Sequence, residues 1–145
     1  MPFHLTDDPL KMTAILYQIT HAAGVTTSHL AGESLSGHRM VTLNAQSEVV
    51  LVGKEDLGTT VVVGMTLHAA AAGEAIKIAS VGPVTDANWM WDTSKRSLFL
   101  RDNGQISQTP PTSGFLCVIG YCVSQTQIFI TVQAPIRLYQ PETLS

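Results

Sequence analysis

Three carboxylates and two tryptophans sit close together in the segment Gly82–Gly104, GPVTDANWMWDTSKRSLFLRDNG. Asp86, Asp92 and Asp102 are the acids, and Trp89 and Trp91 the aromatics. A pair of such acids could flank a glycosidic bond, one as general acid and one as nucleophile or base, while an indole pair supplies a platform for the sugar ring. All three acids fall at turn positions, where Asp is expected for its own backbone hydrogen bonding. The tryptophans equally suit packing in a core or at a subunit interface. Core or interface is therefore the favoured reading of Trp89 and Trp91, and carbohydrate binding without hydrolysis is the second.

The other residues that can do chemistry form no motif. Gly53-Lys54 follows an apolar run as a phosphate loop would, but the earlier glycine is missing and Glu55 stands where Ser or Thr would hold magnesium. Glu55 and Asp56 would repel phosphate, so the segment reads as a solvated loop. His4, His21, His29, His38 and His68 are scattered, with no HExxH spacing. Cys117 and Cys122 are the only cysteines and flank Gly120. Five residues apart on a strand, they face opposite ways unless Gly120 bulges, and each reads as a small core residue. Ser36 lies in Ser-Leu-Ser-Gly, which is not a nucleophile elbow. The expectation is a chain with no catalytic residues, no cofactor and no metal.

Composition narrows the function further. At 145 residues the chain is long enough for one core. Charged residues make up 13%, against roughly 25% in a typical soluble protein. A surface so short of charge points to extensive contact with protein, as in an obligate oligomer. The net charge is -3, with no basic stripe, which argues against nucleic acid. The start MPFHLTDDPL lacks the basic and apolar regions of a secretory signal, and no apolar run is long enough to insert in a membrane.

The pattern of elements is a helix followed by strands. Thr6-Asp7-Asp8-Pro9 is a helix start, Met12, Ile15, Leu16 and Ile19 recur at helical spacing, and Gly24 is a stop, which predicts a helix over roughly 7–23. VTTSH, residues 25–29, reads as a polar connector. Residues 1–29 are thus expected to form an arm and linker, with the apolar stripe as an interface candidate, and 30–145 a β-domain. Strands are expected at 38–43, 48–52, 59–67, 74–79, 97–100, 105–108, 115–123 and 127–132, with 136–139 closing the sheet. Asn103-Gly104 is a hairpin turn signal, and Pro110-Pro111 cannot lie in a central strand. VVVGMTL…AIKIA and CVIGYCV…QIFIT echo one another, with Gly64 and Gly120 as equivalents. The fold expected is a small antiparallel β-sandwich or barrel preceded by one α-helix.

One set of motifs carries a resemblance. It comprises W-x-W at Trp89 and Trp91, S-L-F-L at 97–100, N-G-x-I-x-Q-x-P-P at 103–111, Gly114-Phe115, Ile119-Gly120 and I-F-I…P-I-x-L at 128–138. Upstream stand AGESLSGHRMV at 31–41 and VGMT…AAAAGEAIKI at 63–78. Together they resemble tailed-bacteriophage virion structural proteins, of the capsid decoration or cement type, whose β-domains also occur in head and tail fibre proteins. The resemblance implies a small β-domain that assembles as a trimer on the outside of the virion and catalyses nothing. The partners implied are other copies of the chain and a major capsid protein. The alternative is a tail fibre, spike or baseplate-attached adhesin that binds a host glycan. The resemblance does not cover the N-terminal helix.

Overall fold

The computed structural model describes residues 24–138. The predicted helix, with Met12, Ile15, Leu16 and Ile19, lies outside the described residues, as does Tyr139. Within them the fold is almost entirely β. The strands are β1 (Val25–Leu30), β2 (Met40–Leu43), β3 (Val49–Leu51), β4 (Gly64–Thr66), β5 (Ala75–Thr85), β6 (Ser97–Leu100), β7 (Ile106–Ser107), β8 (Phe115–Leu116), β9 (Val118–Cys122), β10 (Gln127–Thr131) and β11 (Ile136–Arg137). Nine of them form one antiparallel sheet in the order β3-β2-β4-β5-β10-β9-β6-β7, with β1 also paired to β5. The sheet curls into a half-barrel.

The echo in the sequence is a repeat in the topology. Strands β2, β3, β4, β5 lie in the order β3-β2-β4-β5, and β6, β7, β9, β10 lie in the order β7-β6-β9-β10. The two halves meet where β5 pairs with β10. Gly64 and Gly120 occupy matching places, opposite Val41 of β2 and Leu98 of β6. A Cβ on Gly64 would lie 2.4 Å from the Ala79 carbonyl oxygen, and one on Gly120 would lie 2.1 Å from that of Phe129. Neither strand pair could approach so closely with a side chain there. Two residues beyond each glycine, Thr66 faces Ile78 and Cys122 faces Ile128. Ile78 is therefore the counterpart of Ile128, whereas the sequence echo matches it to Ile130. The displacement arises because the first half carries the longer connection, whose Ala70 bridges Leu35 and whose Gly73 N–H donates to the Ala31 carbonyl.

Two apolar clusters follow from strand alternation. Met40 and Ala79 join Leu98, Ile119, Ile128 and Ile130 in the larger one. Their neighbours Val41 and Ile78 turn to the other face, with Ile76, Val49 and Leu35. Ile76 and Ile78 share a face with Lys77 opposite, as the alternation predicts. Thr66 is fully buried, yet its Oγ1 donates to the Ser36 carbonyl at 2.7 Å and accepts from the Arg39 N–H at 2.9 Å. Those two bonds fasten the 36–39 turn to β4.

Several expectations are corrected. Val25–His29 is not a connector but most of β1, because Val25, Thr26 and Thr27 are β-branched and complete a ladder on β5. Residues 59–67 give only a three-residue strand, since Thr59 and Thr60 donate backbone N–H bonds to Asp56 in a turn and Val61 is exposed. Residues 115–123 divide into β8 and β9. Ile136–Arg137 does not close the main sheet but pairs with β8 in a separate two-stranded sheet. The Asn103-Gly104 turn is present, with φ of 55° and 71°, in a loop one residue longer than the minimal hairpin.

Candidate functional site: a tryptophan cleft and an uncharged sheet face

The β5–β6 loop is shaped by Asp86. Its Oδ1 accepts the Asn88 N–H at 2.9 Å and its carbonyl accepts the Trp89 N–H at 3.0 Å, an Asx turn. The Trp91 N–H then donates to the Gln125 carbonyl at 2.9 Å. Trp89 and Trp91 thus sit on a loop, and their rings come together with centroids 5.6 Å apart. Both are half-buried against the larger cluster.

The 36–39 turn brings a third ring to this pair. His38 holds a left-handed φ of 59°, its N–H donating to the Thr66 carbonyl at 2.8 Å. Its Nδ1 lies 3.2 Å from Asp86 Oδ2, and its ring centroid 4.7 Å from that of Trp89. His38 and Asp86 are 48 positions apart, and nothing in the sequence pairs them; only the local Asx signature, Asp86-x-Asn88, is legible there. A cleft of about 350 Å³ runs along one side of the indoles, past His38, Arg39 and Gln105. A second, of about 430 Å³, runs along the other, past Asn88, Lys95 and Gln108.

The remaining candidates are tied into local structure. Asp92 accepts the Ser94 hydroxyl at 2.7 Å and the Ser94 N–H at 2.9 Å, which lowers its pKa below the ordinary carboxylate value. Asp102 lies 3.8 Å from Lys54 Nζ. His29 bonds Thr27, and His68 bonds the Ala69 carbonyl through Nδ1 and accepts the Lys77 N–H through Nε2. Among the described residues no three His, Cys, Asp or Glu side chains cluster as metal ligands. Cys117 and Cys122 both enter the larger core, because the β6–β9 register slips at Leu98/Phe99 and Ile119 becomes the extra residue of a bulge. Burial raises the Cys117 thiol pKa, which makes it a poor nucleophile.

Lys54 corrects the solvated-loop reading. It is 6% exposed, and its Nζ donates to Glu55 Oε1 at 2.8 Å and Ser113 Oγ at 3.0 Å. The loop is clamped by the Lys54 N–H to the Arg101 carbonyl and the Phe115 N–H to the Lys54 carbonyl. The hydrogen bond from Lys54, ahead of its charge, holds the Glu55 pKa below 4.5. A depressed carboxylate contributes stability that is full above its unfolded pKa and is lost as pH falls through the folded one. Thermal melts are therefore expected to show a decline below pH 4.5 to which Glu55 contributes, and Lys54→Met should reduce that contribution, leaving the smaller effects of Ser113 and Arg137. An unchanged acid slope in Lys54→Met would contradict the pairing.

The second half of the sheet has a distinctive outer face. Ile128, Ile130, Leu98 and Cys122 point to the core, so the alternate residues point away from it. The register sets Pro83, Phe129 and Tyr121 side by side in one row, with Phe99 and Val118 paired in another. Val81 and Tyr121 are 44% and 41% exposed, while Phe99, Val118 and Phe129 are half-buried. Thr85, Gln127, Thr131 and Ser97 lie on the same face, and none of these ten residues is charged; Arg101, two residues beyond Phe99, stands at its edge. The signal was present as Gln-Ile-Phe-Ile-Thr and Gly-Tyr-Cys alternation, but which half of it faced outward needed the sheet.

No protein-family model matches this chain, and no curated protein matches it either.

Proposed function

We propose that this protein is a non-enzymatic structural component of a tailed-bacteriophage virion, a capsid decoration protein that assembles as a homotrimer. The observation that carries the reading is the uncharged outer face. An antiparallel sheet with one face in water ordinarily carries polar and charged side chains on it. Here that face holds Phe99, Tyr121 and Phe129 with no charge, the composition of a buried interface centre. An uncharged face brings no repulsion when it meets its own copy, so three copies turned toward a common axis would bury it.

The motif residues support the same reading, because they hold the positions that make this β-body. Gly64 and Gly120 permit the close strand approaches, and Asn103-Gly104 turns the β6–β7 hairpin. In this proposal the half-barrel is the barrel-type domain of the decoration protein, and residues 1–23 supply the docking contact with the major capsid protein. The tail-adhesin reading is favoured by the tryptophan cleft alone.

Density maps of virions test the assignment. Particles carrying the full chain should show it on the capsid surface. The variant lacking residues 1–23 keeps β1 whole, and should fold yet be missing from the particle. Density at the tail tip, or full incorporation of the truncated chain, would contradict the proposal.

A further inference from the structure

We propose that the cleft over Trp89 and Trp91 is an oligosaccharide-binding site. A pyranose offers an apolar face of C–H groups and a rim of hydroxyls, and a site for it needs an aromatic wall beside fixed polar groups. The wall is the indole pair, held half-exposed by the Asp86 turn and by the Trp91–Gln125 bond. The polar groups stand on both sides of it. Arg39 and Gln105 border one cleft and Asn88 borders the other. Among the described residues, the side chains of these three make no hydrogen bond or ion pair. A guanidinium and two carboxamides are the groups that give two parallel hydrogen bonds to adjacent hydroxyls. His38 adds an acceptor or donor at Nε2, since its Nδ1 is engaged by Asp86.

Two further features mark the cleft. The Trp91 Nε1–H is buried and has no acceptor among the described residues. Buried donors in folded proteins are nearly always satisfied, and with under 1 Å² exposed this one meets a ligand hydroxyl only when the indole turns toward the cleft. His38 is held at a left-handed φ that few side chains adopt, in the position that presses its ring against Trp89. Hydrolysis is not part of the proposal, because Asp86 and Asp92 are each engaged in a turn. The inference rests on these contacts and not on the assignment to a virion.

The chain has two tryptophans and both line the cleft, so tryptophan fluorescence reports on this site alone. The purified full chain is titrated with chitohexaose, maltohexaose and a hexameric oligogalacturonate. At least one should give a saturable change below about 10 mM. Arg39→Ala and Gln105→Ala remove no packed aromatic and should each weaken that binding about tenfold or more. Trp89→Ala should abolish it, read by calorimetry. Uronate-only binding would place the site's selectivity on Arg39, and hexosamine or glucan binding on the amides; either supports the proposal. No saturable change with any of the three, or binding unaltered in both Arg39→Ala and Gln105→Ala, would overturn it.

Discussion

Gly120→Val leaves no folded protein at 25 °C, and Gly120→Ala costs about 3–5 kcal/mol of stability. The added Cβ would meet the Phe129 carbonyl oxygen at 2.1 Å. That atom belongs to the neighbouring strand's backbone, so no rotamer change can relieve the overlap. Relief requires β9 and β10 to separate, and they carry Ile119, Cys122, Ile128 and Ile130 into the larger core. Gly64→Ala should behave alike, with 2.4 Å to the Ala79 carbonyl oxygen. Gly73→Ala is the control. Gly73 has a left-handed φ, 85°, unlike Gly64 and Gly120, and a Cβ there meets nothing within 4 Å. It should cost only the left-handed strain, about 1–2 kcal/mol. Urea unfolding of the three variants checks the order, and an equal loss in Gly73→Ala and Gly120→Ala would refute the close-approach account.

If the uncharged face joins copies as proposed, Tyr121→Asp is expected to leave a folded monomer. Tyr121 stands in the central row of the uncharged face, beside Phe129 and Pro83. It is 41% exposed in the single chain, so the change leaves the core of each subunit intact. In an assembly the same site would be covered, and a carboxylate would be buried without a partner. Losing an aromatic contact at an interface centre weakens association by about 2 kcal/mol or more, and an unpaired buried charge adds to it. Dissociation constants should rise at least about thirtyfold, while circular dichroism and the melting transition of the dilute protein stay close to the parent. Val81→Asp, at the margin of the face, should have the same direction and a smaller effect.

Much of the fold was legible because its signals are local. Ile76-Lys77-Ile78 alternates as a half-buried strand must, Asn103-Gly104 supplies two left-handed residues in succession, and Pro110-Pro111 excludes a central ladder. The repeat was visible through its glycines, although its register was displaced by the longer alanine-containing connection. The illegible parts depend on partners far along the chain. Val25–Leu30 is polar and exposed, and only its pairing with β5 makes it a strand. Lys54 looks solvated until residues 101–102 and 113–115 close over it. Cys117 and Cys122 share a core because one bulge changes the parity between them. The tryptophan pair was legible as a candidate contact surface, but the His38–Asp86 contact that completes the cleft joins the turn before β2 to the β5–β6 loop between the two halves. The uncharged face shows where the low charge content of the composition is concentrated.

Sedimentation equilibrium of the full chain at micromolar concentration, beside Tyr121→Asp, tests the central claim that this face joins copies of the protein. A trimer of the 15.6 kDa chain is expected for the parent and a folded monomer for the variant. A parent that sediments as a stable monomer, or a variant whose assembly is unchanged, would contradict it.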